Sequence, residues 1–264
     1  MNNLSGYVIK TSIKETFMFK FDFILMSSAA LFQLAVQYYF LKYIFHSAET
    51  IGNFTLNTTL TYLLLNCSLG GIFTYNVDMH LRYDIQYGKI ITLLSKPVHI
   101  PYFYLLKGVG IIGSKLLTES FLLFFIALLF FHPIYVPDIF DLMLFLVSFI
   151  LGLILFMQIN LSVGFITFFI GDNSSVITFL FFLRALFSGS VFPLDFFPFW
   201  LKKIGEFLPF RLMIDTPFKF FLGFIPPNKI FSTFFVQLIW ISIFYIFMRI
   251  IYSAGIKRYH SVGG

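Results

Sequence analysis

One stretch of this chain matches a nucleotide-binding pattern letter for letter. Residues 108–113 read G-V-G-I-I-G, the spacing of a dinucleotide-binding turn. That motif binds a dinucleotide only where a strand precedes it in a βαβ unit, whereas here it opens a long apolar helix, which favours close helix packing. A phosphate loop is excluded too, because Lys115 does not directly follow Gly113. The sequence therefore predicts no nucleotide site.

Residues that could support metal or nucleophilic chemistry are few. The histidines are scattered, without the i,i+4 spacing or cysteine partners of a metal site: His46, His80, His99, His132 and His260. No Gly-x-Ser-x-Gly elbow is present, and the single Cys67 excludes an internal disulfide. Asp78, Asp84 and His80 could serve a lipid transferase only as part of a larger carboxylate cluster around a divalent metal. An enzyme is a rival interpretation, not the leading one.

Three charged residues lie inside apolar stretches: Lys115, Glu119 and Arg184. A lone charge at the middle of a membrane costs roughly 2.5–3.5 kcal/mol, so partners are expected. Lys115 and Glu119 are one helical turn apart and predict a local pair near the interface, or a polar spot facing a substrate path. Arg184 has no local partner, so we expect it to face the interior and meet Asp172, Glu119 or a second subunit.

The composition places the whole chain in a membrane. Of 264 residues, 59% are hydrophobic and 11% are charged, against about 25% charged in soluble domains. The mean hydropathy is +0.89. The net charge of +6 is typical of membrane topology signals and contact with anionic lipids, more than of nucleic-acid binding.

An all-α integral membrane fold with six transmembrane helices follows from the apolar pattern. A span needs about 20 mostly apolar residues, and the predicted spans are residues 21–45, 54–75, 105–131, 140–170, 176–192 and 229–252. Residues 1–20 alternate apolar side chains with lysines and predict an amphipathic interfacial helix. Ten Lys and Arg on the side of the N-terminus against six on the other predict that both termini, including the 253–264 tail, are cytoplasmic.

Two irregular stretches interrupt the spans. Residues 76–104 form the longest polar break; Leu81, Ile85, Ile90 and Leu94 fall near one helical face, with Gly88 and Pro97 placed to end two short helices. Residues 193–228 are apolar but divided by prolines, with Asp195 placed to cap a helix. Broken apolar backbone at membrane depth must line protein or a cavity, so the second stretch predicts re-entrant helices in the outer leaflet.

The motifs in these two stretches resemble those of the membrane (permease) subunit of type-2 ABC exporters. Residues 88–97 read G-K-I-I-T-L-L-S-K-P, which is similar to the Gly-x-Ile…Leu-Leu-x-x-Pro segment of one branch. Residues 188–198 read S-G-S-V-F-P-L-D-F-F-P, which is similar to that branch's Ser-Gly-x-x-Phe-Pro-Leu-x-x-x-Pro segment. The resemblance covers nearly the whole chain.

The resemblance implies an ATP-driven exporter subunit that is not itself an enzyme. It implies a cytoplasmic coupling helix that contacts separate ABC ATPase subunits through Asp84, Tyr87, Gly88, Lys89, Leu93, Lys96 and Pro97. It implies an outer gate formed by Ser188, Gly189, Phe192, Pro193, Leu194, Pro198 and Trp200. No cofactor is expected on this chain, since ATP and Mg²⁺ would bind the partner.

The resemblance also implies a second permease copy or a related permease, membrane-lipid contact, and a bacterial plasma-membrane location. The cargo class is hydrophobic or amphipathic: a drug, an antibiotic, a peptide or a lipid-like molecule. Two rival interpretations stay open at this point. One is the membrane-embedded lipid-modifying transferase, and the other is a membrane immunity protein that transports nothing.

Overall fold

The computed structural model describes residues 2–18, 20–47, 49–74, 77–130 and 135–259, and this part of the chain consists of helices joined by short turns and loops, with an isolated bridge between Ile51 and Phe54. The helices are α1 Asn2–Met18, α2 Lys20–Ser47, α3 Leu56–Leu69, α4 Val77–Gln86, α5 Ile90–Leu94, α6 Ile100–Lys115, α7 Phe121–Phe130, α8 Ile139–Ile170, α9 Ser174–Phe187, α10 Phe199–Phe207, α11 Asp215–Phe221 and α12 Pro227–Arg258. The expectation of an all-α fold is confirmed.

Among the residues that the structure describes, three helical segments are long and apolar enough to cross a membrane: Ile100–Ile126, Ile139–Ile170 and Pro227–Arg258. The first joins α6 to α7 through a π-helical turn at Leu116–Ser120. Helices α3 and α9 have 14 residues each, fewer than the predicted second and fifth spans contain. The structure thus supports a membrane protein with at least three candidate spans.

Helices α3 and α9 both end before the predicted ends of their spans. At the end of α3 the chain tightens into a 3₁₀ turn, Gly70–Thr74, where a Cβ on Gly70 would lie 2.6 Å from Asn66 Oδ1. Helix α9 ends at Phe187 because Gly189 takes a φ of +84°, which is left-handed backbone. Helix α12, in contrast, continues through Arg258, beyond the predicted end of the last span.

The 32-residue helix α8 is the central element. It is about 48 Å long and packs against α12, α4 and α11. Two glycines mark where other segments cross it closely: a Cβ on Gly152 would lie 2.8 Å from Met213 O, and one on Gly164 would lie 3.1 Å from the Asp78 Cα. These two crossings are about 18 Å apart along α8, so it joins two distinct regions.

The glycine-rich motif of α6 serves helix packing. Helix α1 packs against α6, and a Cβ on Gly110 would lie 2.9 Å from both Ile9 O and Ser12 Cβ. Val8 and Ser12 are buried there. The small residue therefore allows close approach of the two backbones, as the sequence pattern predicts.

The stretch 193–228 is divided into short pieces. A 3₁₀ turn at Leu194–Phe196 precedes α10, and a second at Pro209–Leu212 precedes α11. The prediction that Asp195 caps a helix is wrong: Pro198 occupies the N-cap position of α10 without a side-chain cap bond. Asp195 instead lies within the first 3₁₀ turn, where lysines bind its carboxylate.

Candidate functional site

Helix α4 has one buried and one exposed apolar stripe. Val77, Leu81 and Ile85 are buried and share a cluster with Phe165 and Phe168 of α8 and with Met248 of α12. On the other side, Met79, Tyr83 and Tyr87 follow one another at the same four-residue spacing and are exposed. Two apolar stripes on opposite faces are unusual for a helix that only covers a core. The second stripe is therefore available to a partner.

Polar contacts from several elements hold α4 in place. Arg82 Nη1 is 2.7 Å from Asp172 Oδ1, and Gln86 Nε2 donates to Gly171 O at 2.8 Å, both in the turn between α8 and α9. From α6, Tyr104 Oη donates to Asp84 Oδ2 at 2.6 Å. Beyond α12, Tyr259 Oη donates to Ile85 O at 3.1 Å. Helix α4 is thus fixed along its length to the bundle.

The exposed face continues onto α5. Gly88 has a φ of +70° and turns the chain between the two helices, and Ile90 is buried against the bundle. Of the residues predicted to share that buried face, Leu94 is exposed, and Leu93 packs on the cluster instead. The expectation for Leu94 is wrong because the turn at Gly88 rotates α5 relative to α4. We call the exposed side chains of Met79, Tyr83, Tyr87, Ile91 and Leu94 the α4–α5 surface.

The predicted coupling residues fall into two groups around this surface. Tyr87 is 72% exposed and its ring stacks on Tyr83 with centroids 6.0 Å apart. Lys89, Lys96 and Pro97 are exposed as well. Asp84, Gly88 and Leu93 are partly buried and position the two helices. Arg82, which sequence reasoning did not select, stands 4.7 Å from the Tyr83 ring centroid.

A buried polar cluster lies behind α4. Asp78 is 2% exposed and Arg184 of α9 is 6% exposed. The Arg184 guanidinium donates to Asn160 Oδ1 of α8 at 3.1 Å and lies over the Phe156 ring at 5.0 Å. Burial raises the pKa of Asp78 to about 6, although the Met79 N–H and the charge of Arg184 both lower it. Arg184 does face the interior, but Arg82 rather than Arg184 binds Asp172.

In the second region, the backbone that follows α9 is held by side chains of α2 and α3 and by a main-chain N–H group of α11. Four successive carbonyl groups each accept a hydrogen bond. Ser188 O accepts from the Asp215 N–H at 2.9 Å, and Gly189 O accepts from Tyr62 Oη at 2.9 Å. Ser190 O accepts from Asn66 Nδ2, and Val191 O accepts from Gln37 Nε2 at 2.9 Å. The predicted gate motif is therefore fixed through its main chain to α2, α3 and α11.

A network of ion pairs holds together the segments that follow α9. Lys219 Nζ lies 2.7 Å from Asp195 Oδ2 and 2.8 Å from Asp215 Oδ2, and Lys202 Nζ lies 2.5 Å from Asp195 Oδ1. Asp215 is almost fully buried, and its Oδ1 also accepts from the Leu194 N–H at 3.3 Å. Burial would raise the pKa of Asp195, but the charges of Lys219 and Lys202 hold it below its ordinary value. We call residues 188–219, with this network, the 188–219 cluster.

The predicted gate residues divide by burial within this cluster. Ser188, Gly189, Pro193 and Leu194 are buried, and Phe192 is partly buried. Pro198 and Trp200 are exposed, and so is most of one face of α10, where Phe199 and Phe207 are each 80% exposed. The opposite side of α10 packs through Gly205, where a Cβ would lie 3.2 Å from Phe187 Cδ1.

The predicted Lys115–Glu119 pair lies partly outside the described residues, because the Glu119 side chain is among those not described. Lys115 Nζ lies 3.3 Å from Gly71 O and 3.4 Å from Thr74 Oγ1. Lys115 is thus close to the 3₁₀ turn that ends the second predicted span.

The structure does not bring the candidate catalytic acids together. Asp78 is buried beside Arg184, whereas Asp84 binds Tyr104. Asp78 and Asp84 are six positions apart on α4, so their side chains point about 120° apart around the helix axis. Within the described ranges, no group of three His, Cys, Asp or Glu side chains could hold a metal ion. This geometry gives no support to a metal-dependent transferase.

Several residues of these sites were not predicted from the sequence: Gln37, Tyr62, Asn66, Asp215 and Lys219. Asn66 and Gln37 are amides in apolar helices, a signal that predicts hydrogen bonding between helices but names no partner. Asp215 and Lys219 are an i,i+4 pair, which was a recognisable signal.

Comparison with known proteins identifies the family of this chain. A search of curated proteins finds no match. Residues 31–263 match the family model described as ABC-2 family transporter protein, which covers most of the chain, including the α4–α5 surface and the 188–219 cluster. The chain therefore belongs to the ABC-2 family of transporter proteins.

Proposed function

We propose that this chain is the membrane subunit of an ATP-driven ABC export system, and that its α4–α5 surface binds the ATPase. The α4–α5 surface carries the proposal: an exposed aromatic stripe on a helix that three other segments hold in place. Tyr, Met and Arg are enriched at protein interfaces, and Met79, Arg82, Tyr83 and Tyr87 stand together here. ATP and Mg²⁺ would bind the partner chain.

The proposed role requires the α4–α5 surface to be firmly attached to the rest of the helical bundle. A helix that receives a push from a partner can pass it on only if it is packed on the elements that must move. Helix α4 meets this condition, because Leu81 packs at Gly164 of α8 and Arg82 binds the α8–α9 turn. The predicted coupling residues Asp84, Gly88 and Leu93 then set the orientation of α4 and α5, and Tyr87, Lys89, Lys96 and Pro97 contact the ATPase.

Six spans with both termini in the cytoplasm fit this function. Helix α2 is about 42 Å long, enough to cross a bilayer. Helices α3 and α9, about 21 Å each, would complete their crossings with the 3₁₀ turn after α3 and the 188–192 backbone after α9. This arrangement places the α4–α5 surface in the cytoplasm with Arg82, Lys89 and Lys96, in line with the positive-inside rule.

The 188–219 cluster would then form the outer gate of a path for a hydrophobic or amphipathic cargo. The path would lie between this chain and a second permease, which is either another copy or a relative. An exposed apolar stripe on α2 offers a surface for that partner, with residues at helical spacing: Phe32, Val36, Tyr39, Phe40 and Tyr43. The system would operate in a bacterial plasma membrane, in contact with lipids.

Association with an ATPase tests the coupling surface. The chain is purified with the ABC ATPase encoded beside it, once as wild type and once with Tyr83→Ala and Tyr87→Ala. The control is Phe199→Ala with Phe207→Ala, which removes two exposed aromatic rings from α10. We expect the ATPase to be lost from the tyrosine variant alone. Equal recovery in all three preparations would contradict the proposed surface.

Export itself needs a separate measurement. Cells that produce the chain and its ATPase are loaded with the amphipathic dye rhodamine 6G, and dye release is followed after energising them. We expect faster release than from cells whose ATPase lacks its phosphate-loop lysine. A chain that associates with the ATPase but releases neither this dye nor a panel of amphipathic antibiotics would favour a membrane protein without export activity.

A further inference from the structure

The charged residues of α12 mark the length of a bilayer crossing. Lys229 lies in its first turn and Arg249 lies twenty positions later, and residues 230–248 between them contain no Asp, Glu, Lys or Arg. Twenty helical residues rise about 30 Å, which is the thickness of the hydrocarbon core of a bilayer. Both basic side chains are exposed. A membrane-crossing α12 therefore has Arg249 at the boundary between the hydrocarbon and the lipid headgroups.

The residues beyond Arg249 extend α12 into the headgroup layer. Residues 250–258 add about 14 Å of helix past that boundary. Arg249, Ser253 and Lys257 follow one another at four-residue spacing, and all three are exposed. Residues 227–258 include no Asp or Glu, so no carboxylate of this helix neutralises the two cations. We call Arg249, Ser253 and Lys257 the α12 basic face.

The hydrocarbon side of Arg249 is aromatic and apolar. Tyr245, one turn earlier, accepts a hydrogen bond at its Oη from Arg249 Nη1 at 3.2 Å. Ile246, Phe247 and Ile250 beside it are exposed. Tyrosine is enriched where the hydrocarbon meets the headgroups, because its ring is apolar and its hydroxyl is polar. This part of α12 therefore offers apolar side chains to acyl chains and a cation to the group above them.

Within the described part of the chain, the α12 basic face lies on the side of α12 away from the helical bundle. Helix α12 packs mainly on α8. Met248 and Gly255 are buried and mark the packed side, where a Cβ on Gly255 would lie 2.7 Å from Phe168 Cδ2. Arg258 belongs to another side, since its guanidinium lies 5.8 Å from the centre of the Phe169 ring of α8. The basic face is thus open to the surroundings of the protein.

We propose that this end of α12 binds an anionic phospholipid, with Arg249 holding the phosphate and Lys257 adding positive charge further out in the headgroup layer. A planar guanidinium offers paired N–H donors that match two phosphate oxygens. The hydrogen bond to Tyr245 uses one N–H group of the five on Arg249. The inference selects one class of lipid at one face, beyond the general lipid contact of a membrane protein, and it requires neither an ATPase nor export.

Quenching of a single tryptophan measures which lipid occupies this face. The native tryptophans are replaced by Trp200→Phe and Trp240→Phe, and Ile246→Trp puts a reporter on the hydrocarbon side of Arg249 at an exposed position. The whole chain is reconstituted without an ATPase into bilayers of phosphatidylcholine and phosphatidylglycerol. Dibrominated acyl chains are placed first on one lipid and then on the other. The extent of quenching by each brominated lipid gives their relative affinity for the face.

Charge variants are compared in this reporter background. Arg249→Gln, Lys257→Gln and the double variant remove the charges of the α12 basic face. The matched control removes the same number of positive charges from other helices, through Lys42→Gln on α2 together with Lys203→Gln on α10. All four positions are exposed, so none of these changes removes a core contact.

We expect the parent to favour phosphatidylglycerol by about tenfold or more, since each basic residue near an anionic surface contributes about fivefold. The preference should fall about fivefold in each single variant and disappear in the double variant. The control should keep the preference of the parent.

Three results would overturn the inference. The first is equal quenching by both brominated lipids in the parent, or an undiminished preference in the double variant. The second is an equal fall in the control, which would show that net charge rather than the α12 basic face selects the lipid. The third is weak quenching by both lipids, which would show that protein, such as a second permease, covers position 246. None of these results bears on ATPase binding, which is measured separately.

Discussion

The α4 region and the 188–219 cluster lie along the same helix, α8, but are held together in different ways. Helix α4 is packed through a buried apolar stripe, but its ion pair joins Arg82 to an Asp172 side chain that is 59% exposed. The 188–219 cluster is bound by ions and main-chain groups that include the buried Asp215 and the four carbonyl groups after α9.

This difference bears on how each region can move. Exposed ion pairs contribute little, about 0–1 kcal/mol, because water replaces the lost partner. Separating a buried ion from its partner costs several kcal/mol. The ion pair of α4 could therefore open to water at modest cost, whereas separating the buried ions of the 188–219 cluster should cost more. The two regions therefore differ in how strongly their ion pairs should contribute to stability.

The largest expected effect is at Lys219, which neutralises two acids. Lys219→Met would leave Asp215 and Asp195 without their shared partner and should destabilise the fold by about 3–5 kcal/mol. Thermal unfolding in detergent would measure the loss. Lys203→Met, at an exposed lysine on α10, is the control and should change little. Equal stability of the two variants would show that the cluster is not stiffened by its ions.

A second test changes the backbone of the cluster and leaves its charges intact. At Gly189, φ is +84°, and a Cβ would overlap Tyr62 Oη and lie 2.9 Å from the Asp215 Cβ. Gly189→Ala should therefore destabilise the fold by about 2–3 kcal/mol. Gly113→Ala on α6, where a Cβ meets nothing within 4 Å, should instead stabilise it by about 0.5–1 kcal/mol. Thermal unfolding of both variants tests whether Gly189→Ala lowers stability and Gly113→Ala raises it.

The buried Asp78 carboxyl group of α4 should make the free energy of unfolding depend on pH. Its pKa is raised to about 6 in the folded protein, so the folded state binds the proton more tightly than the unfolded state does. Stability from this residue is thus greatest below about pH 4 and falls by about 2–3 kcal/mol as pH rises to about 6. The difference in unfolding free energy between wild type and Asp78→Asn should follow this curve. A difference independent of pH would contradict the burial of the carboxyl group.

The smallest expected effect is at the ion pair between Arg82 of α4 and Asp172, whose aspartate side chain is exposed. Arg82→Gln removes this ion pair and should destabilise the fold much less than Lys219→Met does, because water can replace the partner of an exposed charge. The measurement is the same thermal unfolding series. A loss as large as that of Lys219→Met would remove the contrast between the two regions.

Part of this structure could be predicted from the sequence. The helical class, the close packing at Gly110 and the burial of Arg184 follow from apolar periodicity, small residues and the cost of a membrane charge. The turn at Gly88 also follows, because glycine reaches positive φ without strain. Local rules sufficed for these features.

Other features depend on contacts between distant parts of the chain. Nothing near Tyr62 indicates that its hydroxyl reaches Gly189, and nothing near Asp195 indicates that Lys219 would bind it rather than leave it to cap a helix. The rotation of α5 that exposes Leu94 is likewise set by packing after Gly88. Such pairings join residues that are far apart in sequence, which periodicity cannot identify.

The most direct test of the central claim is the affinity of the chain in nanodiscs for its purified ATPase. Replacing Tyr83 and Tyr87 by alanine should weaken binding by about 10-fold to 100-fold, the size expected when two interface aromatics are truncated. The Phe199→Ala and Phe207→Ala control should bind like wild type. Equal affinities for all three would contradict the assignment of the α4–α5 surface as the site where the ATPase acts.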